Sequence, residues 1–301
     1  MQTKFQLAVS ALALAFYLLQ PAPRATAAST VNPTNRHAWS ANSGWINFRP
    51  ERPNAGDGFK FGEFSCGGYL WSPNLGWINC GDGSPADGVS YANNDHTDFG
   101  VNHYGTGDLY GLAWAANVGW INFGWWTLDP TNSSRPHVNL ATGEFSGYAW
   151  SANCGWINLG TGQLKTDRMD ITDTDGDGIS DVFEIGYTGS LTNMTASSDT
   201  DHDGQTDKSE YIALTNPLST NSPLHITRIS KLTNVNSVEL EWASSPARVY
   251  DLDARLNVTD TNWIYLGTVP GGASASTTAQ AIEAGPPHAF FRVGVKLPLQ
   301  P

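Results

Sequence analysis

Two twelve-residue stretches carry the most specific chemistry in this chain: DTDGDGISDVFE (173–184) and DTDHDGQTDKSE (199–210). Each places acids at positions 1, 3, 5, 9 and 12 and glycine at position 6. In the first these are Asp173, Asp175, Asp177, Asp181 and Glu184, with Gly178. In the second they are Asp199, Asp201, Asp203, Asp207 and Glu210, with Gly204. Alternate residues of a tight loop can turn oxygen towards one centre, and Ca²⁺ takes about 6–8 oxygens at about 2.3–2.6 Å. The backbone carbonyls of Ile179 and Gln205, at position 7, would each add a ligand. Glu184 and Glu210 can bind through both oxygens. Ten carboxylates around one lysine repel one another unless a cation joins them. A solvated acidic linker is the plain alternative, and two complete matches in succession favour Ca²⁺ as the cofactor.

These loops resemble thrombospondin type-3 repeats, which use EF-hand-like loops without the full flanking helices. The flanks VFEIGYTGSLT (182–192) and SEYIALTNPLS (209–219) are similar to a paired calcium segment in many exported proteins of environmental bacteria. There it lies between a variable N-terminal region and a C-terminal β-sandwich. The resemblance covers about residues 170–220 and implies a stiff spacer rather than a calcium sensor.

The elements on either side must hold that spacer. On the N-terminal side one motif recurs: WSANSGWINF (39–48), WSPNLGWINC (71–80), WAANVGWINF (114–123) and WSANCGWINLG (150–160). The four copies of W-[SA]-x-N-x-G-W-I-N hold eight of the 12 tryptophans. Such a period marks a repeat architecture. Each copy reads as a hairpin whose N-x-G supplies the turn, with glycine at positive φ. TG at 106–107 and 142–143 marks a further turn, giving a unit of about three antiparallel strands. One unit cannot bury its own face, so the four must stack or close. The expectation is a mainly β chain whose Trp-rich antiparallel repeat domain (28–165) is propeller-like or a solenoid. The motif is similar to repeats in exported bacterial proteins, which lends no activity.

Strand alternation puts Trp156 and Asn158 on one face and Ile157 and Leu159 on the other. Because Trp, Ile, Asn and Gly recur together, the favoured expectation is that the tryptophans form the core of each unit. The competing reading is a row of exposed aromatics that stack on sugar rings. Trp125 and Trp126 lie outside the motif and are the candidates for an exposed ligand platform.

The remaining chain organisation follows from composition. Residues 1–27 read as a secretory signal, with an apolar run from about Leu7 to Leu19 and a cleavable Ala25-Thr26-Ala27. No later stretch is long enough to span a bilayer. This implies a secreted or cell-surface location, with the periplasm as an option. A net charge of −12 with no basic stripe speaks against nucleic acid as a partner. Residues 166–222 form the two-loop calcium segment. Residues 223–301 carry six runs with strand character, among them VELEWAS with Val238, Leu240 and Trp242 on one face. They suggest an immunoglobulin or fibronectin III-like sandwich. Cys66 and Cys80 flank one hairpin and could form a disulfide in an oxidising compartment. Cys154 is left over.

The chain carries no H-E-x-x-H, G-x-S-x-G, P-loop or dinucleotide fingerprint. The cluster Asn94, Asp95, His96, Asp98 and His103 is the one acid–His group outside the calcium loops. A glycosidase needs two carboxylates across a cleft. Glu63, Asp108 and Glu144, among the few acids of the repeats, share a turn position that explains them structurally. The sequence thus points to a secreted calcium-binding surface or matrix protein whose repeats bind carbohydrate or an extracellular protein. A polysaccharide-acting hydrolase and a purely structural surface protein are the alternatives.

Overall fold

A computed structural model describes residues 28–50, 58–232, 237–272, 276–283 and 290–300. The signal-like segment 1–27 lies outside them. The chain is mainly β and its named sheets are antiparallel.

The repeats supply eight strands: β1 (Val31–Ser40), β2 (Gly44–Asn47), β3 (Gly67–Ser72), β4 (Gly76–Asp82), β6 (Leu109–Ala115), β7 (Gly119–Asn122), β10 (Tyr148–Ser151) and β11 (Gly155–Asn158). They pair in the order β1-β2-β3-β4-β6-β7-β10-β11, and β11 returns to pair with β1 through Trp39 and Asn158. The result is a closed barrel of four hairpins rather than a propeller-like ring or a solenoid. Within each hairpin the first Trp faces the second: Trp39 with Trp45, Trp71 with Trp77, Trp114 with Trp120, Trp150 with Trp156. Between hairpins the register advances two residues, so that Asn47, Asn79, Asn122 and Asn158 face the first Trp of the next hairpin. Four such steps give a stagger of eight over eight strands, the ratio that tilts barrel strands by about 36°.

The interior settles which face of each strand is core. Ile46, Ile78, Ile121 and Ile157 point inward beside Ala38, Leu70, Ala113 and Ala149, none more than 3% exposed. Ser40, Ser72, Ala115 and Ser151 are also buried and small. An eight-stranded barrel is just wide enough for side chains of this size. Eight indole rings would overfill it, so the tryptophans face outward. The expectation of a tryptophan core is therefore corrected. Recurrence did signal packing, but through isoleucine and its small neighbours.

At the turn end the first Asn of each motif ties one hairpin to the previous one. Asn74 donates to the Ser43 carbonyl (3.1 Å), Asn117 to Leu75 (3.2 Å), Asn153 to Val118 (2.9 Å), and Asn42 closes the ring on Cys154 (3.2 Å). The turn glycines Gly44, Gly76, Gly119 and Gly155 sit at φ between +73° and +75°, a region in which a β-branched side chain is strained. The opposite end is closed by Phe48, Phe59, Phe61, Phe123 and Phe145, in the same core cluster as the isoleucines. The short strands β5 (Val101–His103), β8 (His137–Val138), β9 (Phe145–Ser146) and β12 (Leu164–Thr166) lie outside the closed ring. The expected third strand of each unit is thus a short accessory pairing.

Two short helices follow, α1 (Asp181–Thr188) and α2 (Asp207–Ala213). Ser180 and Thr206 cap their N-termini by accepting from Phe183 N–H and Ser209 N–H. Ile179, Phe183, Met194 and Tyr211 form the small core of this segment. The C-terminal region holds two three-stranded sheets. One is β13 (Ile226–Lys231), β14 (Ser237–Ala243) and β17 (Ser276–Glu283); the other is β16 (Ile264–Pro270), β15 (Val249–Arg255) and β18 (Phe290–Lys296). Leu240, Trp242, Tyr250, Leu252 and Ala279 form one buried cluster between them. Among the described residues no helix is long and apolar enough to cross a membrane.

A buried ion pair joins the three regions. The Arg248 guanidinium, 1% exposed, reaches Glu63 of the barrel region at 3.3 Å. It also donates to the Tyr211 and Ile212 carbonyls of α2 at 2.9 Å each. Tyr211 Oη donates to the other Glu63 oxygen at 3.3 Å. Glu63 thus holds the acidic-loop segment and the C-terminal sheets together, which explains this acid structurally.

Candidate functional site

Two sets of side chains stand out, one converging on small loops and one diverging from the barrel. The diverging set is the tryptophan belt. Trp39, Trp71, Trp114, Trp120 and Trp150 are between 36% and 39% exposed, and Trp45 and Trp156 reach 49% and 50%. Three hairpin pairs keep their rings in contact at 4.8–4.9 Å between centroids, tilted by 52° to 67°. Such edge-to-face packing fixes the rings and leaves ring surface to solvent.

Asparagine amides interleave with these rings. Asn47, Asn79, Asn122 and Asn158 each accept, through Oδ1, the backbone N–H two residues on, at 2.7–2.9 Å. That bond sets each amide's orientation. Its two N–H donors have no protein partner among the described residues. The register therefore lays out diagonal rows of Asn, Trp and Trp across three strands: Asn158–Trp39–Trp45, Asn47–Trp71–Trp77, Asn79–Trp114–Trp120 and Asn122–Trp150–Trp156.

Two of the rows open into grooves. One, of about 370 Å³, is lined by Trp125, Asn132, Ser134, Tyr148 and Trp156. The other, of about 430 Å³, is lined by His37, Trp45 and Gln163. Among the described residues, neither is lined by a carboxylate. Burial and the Arg36 charge hold His37 below its usual basicity.

The expected platform of Trp125 and Trp126 divides between these roles. Both lie in a short 3₁₀ turn (Trp125–Leu128). Trp126 is 5% exposed and donates to the Leu109 carbonyl at 2.8 Å, so it is a packing residue and not part of a platform. Trp125 is half-buried, edge-on to Trp156 at 5.0 Å, and forms one wall of the groove. The turn puts adjacent residues on opposite sides, which the sequence pair alone did not reveal. The outward motif tryptophans match the competing reading of exposed aromatics, not the favoured one that places them in the core. Their signal was the Asn that follows each second Trp at the same face.

The converging set is the pair of acidic loops. Carboxylate oxygens of Asp173, Asp175 and Asp177 lie within 4.8 Å of one another, as do those of Asp199, Asp201 and Asp203. Gly178 and Gly204 take φ of +90° and +96°, making the sharp turn. Individual oxygens hold the loop backbone: Asp173 accepts from Gly178 N–H, Asp177 from Ile179 N–H, Asp199 from Gly204 N–H and Asp203 from Gln205 N–H. Other oxygens are buried without a partner, namely Asp177 Oδ2, Asp199 Oδ1, Asp201 Oδ2, Asp203 Oδ2, Glu210 Oε2 and both oxygens of Glu184. Glu184 and Glu210 are 0% exposed. Burial, then the surrounding aspartates, pushes each of these two carboxyls up to about 7. Buried carboxylates cost several kcal/mol unless compensated. A divalent cation bound by these orphaned oxygens would supply that compensation, so the donor set fits one.

Asp181 and Asp207 depart from the expected ligand set. Both oxygens of Asp181 accept from Thr174, and those of Asp207 from Thr200 and Ser198. These acids clasp loop position 2 to the helix instead of facing the centre. Ile179 is fully buried and anchors its loop to the small core, while Gln205 stands at the matching place before the cap of α2.

Cys66, Cys80 and Cys154 are all buried free thiols, so the expected Cys66–Cys80 bridge is not formed. A register shift between Gly67 and Tyr69 offsets the two along the hairpin, and neither faces the other as a strand partner. Burial pushes the Cys66 thiol up to about 12. The acid–His cluster is likewise dispersed. Asp98 accepts from Ala86 and Ala92 N–H, Asp95 is bound to Thr97, and His103 is buried with Nε2 accepting from Gly107 N–H at 2.8 Å.

Comparison of the chain with protein-family models, curated proteins and solved structures returns no match.

Proposed function

We propose that this chain is an exported, calcium-stabilised surface or matrix protein whose barrel binds carbohydrate. The observation that carries the reading is the belt of outward tryptophans interleaved with amides of fixed orientation. Indole faces match the apolar C–H face of a sugar ring, and amide donors match its hydroxyls. Large exposed aromatic patches mark interaction sites in soluble proteins. The strands that carry the belt are four to seven residues long apart from β1, too short to cross a bilayer, which needs about 9–11.

Ca²⁺ is the cation we assign to the loops, held by Asp173, Asp175, Asp177 and Glu184 in one and by Asp199, Asp201, Asp203 and Glu210 in the other. The donors are all oxygen, which suits this hard cation. It serves as a structural link, because α2 carries both Glu210 and the Tyr211 that reaches Glu63. We read the two three-stranded C-terminal sheets as an immunoglobulin or fibronectin III-like sandwich, which would suit a spacer or adhesion module. A thrombospondin type-3-like role for the loops fits the same plan. The hydrolase alternative gains no support from the described lining of the two grooves, which holds no paired carboxylates of the kind a glycosidase uses.

The test is a glycan array probed with the calcium-loaded chain from residue 28 onward. Saturable binding to a sugar class is the expected result. No binding to any glycan, with the fold intact, would overturn the carbohydrate reading and move the belt to a protein partner.

A further inference from the structure

The barrel's register bears on valency, and the argument rests on the carbohydrate reading above. The register repeats one arrangement four times: an Asn faces the first Trp of the next hairpin, which faces its own second Trp. Neighbouring strands lie about 4.8 Å apart, so each row spans about 10 Å. That length suits a short stretch of glycan. Because the strands close on themselves, the four rows lie about a quarter turn apart and face different directions. A straight glycan chain that lies along one row therefore cannot follow the belt to the opposite row.

The described contacts between the barrel region and the sandwich lie away from the rows. Glu63 and Gly105, which meet Arg248 and Ala247 of the sandwich, lie in connections at the end away from the N-x-G turns. The rows contain no acid, lysine or arginine, and the chain as a whole carries −12. An anionic polymer would be repelled by that net charge and would find no cation within the rows themselves, whereas a neutral one pays no such penalty.

We infer that a single copy of this chain cross-links neutral glycan chains, using four quasi-equivalent subsites each made of one Asn and two Trp. Asn158 with Trp39 and Trp45 is the type example, and its second ring opens directly into a groove. The aromatic faces take the sugar C–H surface, and the asparagine N–H donors fix the hydroxyls. Linked sites gain avidity of about 10²–10⁴ over one site without any new contact.

The experiment uses the calcium-loaded chain from residue 28 onward, shown to be monomeric by light scattering. Beads coated with laminarin, galactomannan or hydroxyethyl cellulose report cross-linking, with polygalacturonate as the charged control. Binding isotherms with short oligosaccharides of whichever polymer responds give sites per chain. The expected result is agglutination by the monomer, more than one site per chain and no response to polygalacturonate. Asn158→Asp keeps the acceptor for the Gly160 N–H and replaces the donors with a charge. It should remove one site and leave the others. The fourfold Asn→Asp variant at 47, 79, 122 and 158 should bind at least tenfold more weakly and lose agglutination, with an unchanged circular dichroism spectrum. If that variant unfolds, the four single variants, each short of one site, decide the matter instead. Binding at one site per chain without agglutination would overturn the cross-linking inference and leave the carbohydrate reading standing. Preference for polygalacturonate would overturn the neutral ligand class. No binding to any polymer or array glycan would overturn the carbohydrate reading itself.

Discussion

The acidic loops and the tryptophan repeats are both built by recurrence, yet their functional groups point in opposite senses. In the loops the carboxylates converge, and several of their oxygens are buried facing one another without a partner. In the barrel the indoles diverge, and seven of the eight motif tryptophans are exposed to water. Converging like charges destabilise the fold until a ligand arrives, so a ligand there acts on stability. Diverging neutral groups impose no such cost, so a ligand there acts on binding and leaves the fold nearly unchanged. That difference can be broken or sharpened experimentally.

The largest effect is expected from calcium. A ligand that binds only the folded chain at about a thousandfold excess over its Kd stabilises by about 4 kcal/mol per site, and two loops double that. Calorimetry with Ca²⁺ and with chelator should show a large difference in Tm. Glu184→Gln sharpens the point, because it removes a buried charge that has no partner. The variant should melt higher than the wild type in chelator and lower in excess Ca²⁺. Parallel shifts under both conditions would mean that Glu184 is not a ligand.

The second effect separates two adjacent tryptophans. Trp126→Ala should cost about 3–5 kcal/mol, the usual range for a buried aromatic, and should lower Tm steeply. Trp125→Ala should cost less than about 1 kcal/mol and instead weaken glycan binding. A large loss of stability in Trp125→Ala would make the groove part of the core.

The geometry of the acidic loops was nearly legible from sequence, and the reason is local. Spacing within twelve residues fixes which oxygens meet, and Gly178 and Gly204 turn the chain as their position demands. Only Asp181 and Asp207 deviate, because the threonine at loop position 2 competes for them. The six C-terminal strands were legible for a similar reason, since alternation such as Val238, Leu240 and Trp242 reads directly as one buried face. The barrel was legible as hairpins but not as a barrel. Alternation shows that Trp156 and Ile157 face opposite ways, but which face is inside depends on closure between Trp39 and Asn158, 119 residues apart in sequence and paired only in space. Interior volume decides it, and volume is not a local property.

The third effect tests a group that belongs to neither set. His103 lies fully buried between the Gly62 carbonyl and the Gly107 N–H. Burial pulls its pKa down from 6.5 to about 4. The folded state thus binds this proton more weakly than the unfolded chain does. Its contribution is complete above pH 6.5 and is lost as pH falls through about 4, on the order of 3 kcal/mol once both states are protonated. Denaturant titrations of wild type and His103→Gln between pH 7 and 4 should converge as the pH falls. Curves that stay parallel would show that His103 does not titrate with folding.

The smallest effect bears on the geometry from which the diverging set follows. If the barrel is closed, the seam between the first and last repeats is one junction among four equals. Asn42, which spans the seam to the Cys154 carbonyl, then matters as much as Asn117, which joins hairpins adjacent in sequence. Each alanine substitution removes one hydrogen bond and should cost about 1 kcal/mol, or a few degrees in Tm. If the ring opens at the seam in solution, Asn42→Ala would be silent while Asn117→Ala would still cost its full amount. Equal losses would place four hairpins around one axis, and with them four rows of asparagine and tryptophan facing four directions.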